Sequence, residues 1–416
     1  MRLGGLLVVL AAVAMPALSL ADGNNRNYLP FGERAAMLGN AGFTSPEGEA
    51  VYYNPANLAR INYPSLSVSG STYLVYEVGF DPLIHLEGVD QPFSASGFVA
   101  IPSSLVSTYQ IGSWSLATAI LVPEAFAMKN RETLTFNETT TTMLQDLQVQ
   151  SMWLGAGIAR EVAPGWSIGI SGFVARETRS DIQIFEVKSA IVGVSQRSES
   201  SDTSIMNLMG IVGVQWQPSR SFGVGLRVQP PSLRLSGTKQ VWASSIAVDP
   251  MGVMTTDGYS IDDVPVGQPL PTDIGLGVSV RPHPGAELMI DVGLQLPTSF
   301  VAQADPMLGV VTEKLELAPR VGLGAEIEVG SSMLLRLGAM YNRSAAVGLD
   351  DGGPGKEDYF GATAGFSMRR GRTITSIGVF GMQSNPEYEI VGSDPARRSF
   401  ATMRMYGGLL AVSYRL

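Results

Sequence analysis

A chain of 416 residues with 45% hydrophobic but only 16% charged side chains is short of charge for a soluble domain, yet after residue 21 no stretch reaches the roughly 18 apolar residues of a spanning helix. A net charge of -9 argues against nucleic acid as a partner, which would require a basic face. Without a cysteine there is no thiol nucleophile, thiolate metal ligand or disulfide, and no lipoprotein anchor is expected.

Residues 1–21 carry a positive charge at Arg2, an apolar stretch from Leu6 to Met15, then Pro16 and Ser19-Leu20-Ala21. This pattern predicts a cleavable signal peptide cut before Asp22, and hence export. Residues 22–64 lack any strand period. Within them Ser45-Pro46-Glu47 reads as cap, first helical position and acidic first turn, and Asn54-Pro55 precedes a second short helix over Ala56 to Arg60. The small residues Ala35, Ala36, Gly39, Ala41 and Gly42 would let this segment pack closely against a wall, as a compact plug.

From there to the end, period-two patterning predicts fourteen strands: 66–78, 93–102, 113–129, 150–161, 166–178, 207–217, 222–238, 272–281, 286–298, 318–328, 333–342, 359–369, 373–382 and 403–414. In the ninth, Leu288, Ile290, Val292, Leu294 and Leu296 alternate with Met289, Asp291, Gly293 and Gln295, giving one apolar and one mixed face. Connectors after even-numbered strands are short, as in Val162 to Gly165 and Pro282 to Gly285, and Ser103 to Gly112 is the longest of that class. Those after odd-numbered strands are long, as in Lys239 to Pro271 and Met382 to Thr402.

Tight turns on one side and long loops on the other predict an all-β fold: a closed antiparallel transmembrane barrel with both chain ends on the periplasmic side. Trp114, Trp166 and Trp216 beside the short turns fit an interfacial aromatic girdle. A soluble sandwich would also alternate, but it does not explain the strict order of loop lengths. Such a barrel would leave a hole unless something occupies it, and residues 22–64 are available as a hatch for the barrel 65–416.

Gly32-Glu33-Arg34-Ala35-Ala36-Met37-Leu38-Gly39-Asn40-Ala41-Gly42, followed by Tyr52-Tyr53-Asn54-Pro55-Ala56-Asn57-Leu58-Ala59, resembles the hatch of the long-chain fatty-acid transporter (FadL/TodX) family. Asn57 stands where that family commonly has Gly, and the chain ends in Leu416 rather than an aromatic residue, an unusual signal for the barrel-assembly machinery. The resemblance implies a monomeric barrel among outer-membrane lipids, taking up hydrophobic small molecules such as long-chain fatty acids or aromatic hydrocarbons, without metal or cofactor. Some relatives with this fold serve protein secretion, so a secretion or assembly role is the alternative. The resemblance also implies an inward kink in the third strand, opening a lateral gap.

Pro123, followed by Glu124, interrupts that strand in this chain, since proline cannot donate to a ladder. A lateral exit there and a bulge above the membrane rim are both open readings. Strand parity turns Arg227, Glu287, Asp291, Glu326, Glu328 and Arg336 inward. Arg227 and Arg336 are candidate headgroup contacts, although internal ion pairs are the favoured reading for these charges. His85, in the first long loop, and His283, between two prolines in a short turn, are the only histidines, and neither is placed to serve a nucleophile, so no enzyme is expected. Gly352-Gly353-Pro354-Gly355-Lys356 is a surface loop rather than a phosphate loop, and the Gly-x-Gly pairs at 155/157, 223/225, 275/277 and 322/324 would leave lumen volume for hatch or ligand.

Overall fold

The computed structural model describes residues 29–86, 89–101, 103–136, 138–189, 193–305, 309–351, 355–390 and 397–416. The expected signal at 1–21, the first residues of the plug and Gly352 to Pro354 lie outside them. The alternating runs form fourteen antiparallel strands closed into one barrel. They are β1 (Ser65–Leu86), β2 in a distal segment (Val89–Ile101) and a proximal one (Ser104–Ile111), β3 (Trp114–Phe136), β4 (Thr139–Ala163), β5 (Trp166–Ser189) and β6 (Gly193–Ser219). β7 is again in two segments (Phe222–Gln229 and Leu233–Val248), and β8 (Asp273–His283), β9 (Ala286–Gln295), β10 (Ala318–Val329) and β11 (Met333–Asn342) follow. The ring ends with β12 (Tyr359–Arg370), β13 (Thr373–Ser384) and β14 (Thr402–Arg415). β14 returns to β1, with Ser65 opposite Arg415 and Gly79 opposite Thr402, so the ring closes.

The apolar parity faces outward. Leu288, Ile290 and Val292 are exposed while Met289 and Asp291 are buried, and Ile168, Ile170, Leu276, Leu323 and Leu337 continue the exposed belt around the wall. In water such a belt would be an aggregation surface; in lipid it is the required outside of a membrane barrel. Trp166 and Trp216 stack at 5.7 Å beside the short turns, and Arg160 lies over Trp114 at 5.1 Å. No helix among the described residues is long and apolar enough to cross a membrane.

Three expectations are corrected. Ser103 to Gly112 is not a long connector: Ser104–Ile111 is strand, and the turn shrinks to Gly112 and Ser113. Serines hide this strand because its inner face is polar, with Ser104 against Ser69 and Thr108 against Ser65. The long connectors are largely strand as well. β4, β5 and β6 run for 25, 24 and 27 residues, about 80 Å of chain at ~3.3 Å per residue, far more than a tilted crossing of a ~25 Å apolar band needs. Their distal halves are rich in Thr, Ser and Gln, which pair across strands without the apolar alternation that marks a membrane stave. His85 therefore ends β1 rather than sitting in a loop.

Ser45-Pro46-Glu47 does not start a helix either. The chain turns there, and a four-residue helix begins only at Ala50 (Ala50–Tyr53). A 3-10 turn, Ala35–Leu38, precedes it, and a 3-10 helix, Pro55–Arg60, follows with Asn54 as its cap, accepting from the Ala56 N–H at 3.2 Å. Too short to be stable alone, these turns are held by burial inside the barrel.

Candidate functional site

The hatch is tied to the wall around much of the ring. Arg34 donates to Glu326 on β10 through Nε and Nη2, both at 2.9 Å, and Nη2 also reaches Glu287 on β9 at 2.9 Å. Arg336 on β11 donates to the same Glu326 at 2.7 Å and to Ser367 on β12 at 2.7 Å. Asp291 accepts the Gly42 and Phe43 N–H groups at 2.6 and 2.7 Å, and Ser376 donates to Glu33 at 2.7 Å. On the opposite wall the Asn54 amide donates to the Phe43 carbonyl at 2.9 Å and to Val214 of β6 at 3.2 Å. The strand glycines make this approach possible: a side chain at Gly213 would overlap Asn54, and one at Gly169 would overlap Pro55. Of the expected pairs, Gly275 and Gly277 face Phe43 and Gly322 and Gly324 face Gly39 and Leu38, so hatch fills that volume.

Distal to the hatch, the lumen holds a large apolar cluster. Leu74, Tyr76, Phe80, Phe93, Phe126, Met128, Phe380 and Met405 belong to one buried cluster, and Arg179 and Asp181 stand opposite its members Val149 and Leu147 on the same face. Tyr388 and Ile390, from an outer hairpin (Glu387–Ile390 with Arg397–Phe400), join it. That hairpin is strapped to the barrel top by Tyr388 donating to the Pro82 carbonyl at 2.6 Å and by Arg397 meeting Asp90 at 3.3 Å. Asp90 also meets His85 at 2.6 Å, and hydrogen bonds from His85 and then Arg397 hold its carboxyl below the usual carboxylate range. Where cluster meets hatch, a cavity of about 40 Å³ is lined by Phe31, Phe43, Tyr52, Tyr53, Asp291, Arg320, Arg227 and Pro123.

The wall is interrupted on one side. β3 pairs with the proximal segment of β2 up to Ser104 opposite Leu121, and the Val122 N–H donates to the Ser103 carbonyl at 2.9 Å. Beyond this, among the described residues, no ladder joins β3 to the distal segment of β2. At the same level the β3–β4 register slips between Leu121 and Glu124, so the bulge contains Pro123. Ala125 lies opposite Gln150, in the outward-facing row that includes the exposed Met152 and Leu154, yet Ala125 is buried against Val122 and Val99 of β2. β3 therefore bends inward and passes beneath β2. Outside this seam lies a groove of about 600 Å³ lined by Gln148, Gln150, Thr178, Ser180, Ser204 and Gln240, with Arg179 and Asp202 supplying one charge of each sign.

Pro123 and Arg227 thus share one cavity, at opposite sides of the hatch top. Glu124 follows the bulge, buried and on the same face as Phe126. Arg227 contacts Gln229 at 3.0 Å and lies over Phe43 and Tyr52 at 5.6 and 5.5 Å, while its Nε has no partner among the described residues. Arg336 lies apart from that cavity, in the ion network with Glu326 and Arg34. Glu328 ends up exposed, beside the short turn that follows β10. Arg34, the centre of the network, and Tyr76 were not singled out from sequence; a lone arginine inside a run of small residues was the available signal for the first.

No family model and no curated protein matches the chain. Solved structures do. The Pseudomonas putida toluene transporter TodX aligns with a TM-score of 0.67 at 10% identity, over 93% of this chain and 98% of that one. A Pseudomonas aeruginosa FadL homologue gives 0.63 at 12% identity over 93% and 98%, and the Ralstonia pickettii toluene transporter TbuX 0.60 at 13% over 94% and 99%. The fold is that of these plugged barrels along nearly the whole chain.

Proposed function

We propose that the chain is a passive outer-membrane conduit for hydrophobic small molecules, long-chain fatty acids or aromatic hydrocarbons among them. Residues 1–21 would act as a cleaved signal, 22–64 as the hatch and 65–416 as a monomeric barrel delivered by the assembly machinery and seated in outer-membrane lipid. The observation that carries this reading is a large apolar cluster in the lumen that ends on a buried hatch and has beside it a wall seam with no ladder. A general aqueous pore would have a polar lumen and no plug. In lipid an unladdered seam is tolerated only where it borders a cavity or is covered by protein. The likeness to solved toluene transporters and to a FadL homologue supports the same reading at the level of fold.

Ligand would enter past the outer hairpin, sit in the apolar cluster above the hatch, and leave through the seam near Pro123 and Glu124 or by hatch movement. Replacing Pro123 with valine restores a donor and a regular strand. Purified barrel in lipid vesicles should take up a radiolabelled fatty acid or toluene, and Pro123→Val should slow release at least about tenfold while bound ligand accumulates, if the seam is the exit. Unchanged uptake by the variant would leave the hatch as the route, and no uptake by the unmodified protein would defeat the transport reading. Arg227→Ala with unaltered affinity for a carboxylate ligand would remove Arg227 as a headgroup contact.

A further inference from the structure

Tyr76 is the largest residue of the apolar cluster with almost no exposed surface, at 1%. Tyr359 and Tyr388, the other tyrosines of that cluster, use their hydroxyls: Tyr359 on Glu357 at 3.3 Å and Tyr388 on the Pro82 carbonyl. The Tyr76 hydroxyl has no partner among the described residues. A buried tyrosine normally finds one, because a hydroxyl stripped of water and left unpaired carries a desolvation penalty. Its ring is fixed by stacking on Phe126 at 4.5 Å, with 29° between planes, so the hydroxyl is held in place rather than free to swing toward solvent.

Its position is informative. Tyr76 and Gly97 face each other across the β1–β2 ladder, and a side chain at Gly97 would collide with the Tyr76 hydroxyl and approach the Ala127 carbonyl of β3. The hydroxyl therefore lies at the seam, in space that exists because residue 97 has no side chain. Phe126, on which the ring stacks, also lines the outer groove. A molecule crossing from lumen to groove would pass from a cluster of apolar side chains, over the Tyr76 hydroxyl, to a mainly polar surface.

We propose that the seam is a ligand site at which the Tyr76 hydroxyl selects hydrophobic molecules carrying a single neutral oxygen, in preference to bare hydrocarbons and to carboxylates. A phenol, alcohol or ketone completes the hydroxyl's hydrogen bond. A hydrocarbon leaves it unpaired, and a carboxylate would give up its hydration beside a neutral hydroxyl whose described neighbours, Phe126 and Gly97, carry no charge. The assignment rests on the uptake reading above and narrows its ligand class.

Toluene, p-cresol and p-toluate, matched in size, provide the test with the full chain. Binding to the purified barrel in detergent is measured by titration calorimetry, corrected for each compound's partition into micelles, and uptake is measured in vesicles. p-Cresol should bind in preference to the other two. Tyr76→Phe, which keeps the stack and loses the oxygen, should cut p-cresol affinity about fivefold with toluene unchanged, a loss typical of one hydrogen bond. Gly97→Ala, which displaces the hydroxyl, should narrow the p-cresol preference in the same way. A cresol-to-toluene ratio unaltered by Tyr76→Phe, or p-toluate binding as well as p-cresol, overturns the site while leaving transport intact. Selective, Tyr76-dependent binding without uptake of any of the three supports the site and removes the transport reading.

Discussion

The charges with most structural consequence in this barrel are inside it. Arg34 makes the hatch part of the wall because its guanidinium presents several donors in one plane, enough for Glu287, Glu326 and the Ser45 hydroxyl together. Arg34→Ala should cost about 3 kcal/mol, the lower end of the range for breaking a buried ion pair, because Arg281 and Arg336 remain to hold the two carboxylates. A urea titration in micelles checks this, and Arg34→Lys, with a single ammonium, should fall between. At the outer end, Asp90 has its pKa lowered by His85 and Arg397, so its contribution to strapping the hairpin is complete above the ordinary carboxylate pKa and is lost as pH falls through the lowered value. Hydrogen exchange at Tyr388 to Ile390 should accelerate only in that acid window, whereas Asp90→Asn should show the fast rate already at pH 7. Inward charges were legible from strand parity, since Glu326 and Arg336 are cross-strand neighbours. Their partner on the hatch was not, because nothing local to Arg34 says which wall it will meet.

At the scale of elements, close contact between hatch and strands depends on positions without side chains. Gly213→Val should drive Asn54 and Ala56 off β6 and destabilise the docked hatch by about 1–3 kcal/mol, as overpacking does. The change should appear as protease cleavage within 29–64 while the barrel itself stays intact. Gly210→Val, which meets only the Ser171 carbonyl at van der Waals distance, is the control and should change nothing. The Asn54-Pro55-Ala56 turn was legible because a capping side chain followed by proline specifies its own backbone. The proximal segment of β2 and the distal halves of β4 to β6 were not, because pairing between Ser, Thr and Gln leaves no hydrophobic period to read. Pro123 was recognisable as a break, whereas the bend of β3 beneath β2 that accompanies it depends on contacts with Val99, some twenty residues upstream.

For the molecule as a whole, the closed ring and its occupied bore make a falsifiable pair. In planar bilayers the intact barrel should conduct little, whereas deletion of residues 29–64 should give steady openings, since fourteen strands enclose more space than inward side chains fill. Equal conductance with and without the segment would mean the bore is blocked by something else. Alternating strands, ordered loop lengths, aromatic residues at the short turns and a glycine-rich, non-periodic leader determined the plugged barrel from sequence alone, because each is a local response to lipid on one face and packed protein on the other. Tertiary structure alone decided which arginines bind the hatch, where the ladder fails and which hydroxyl is left unpaired at the seam. Those depend on residues from about twenty to nearly three hundred positions apart meeting in the closed wall, and no periodicity along the chain encodes that meeting.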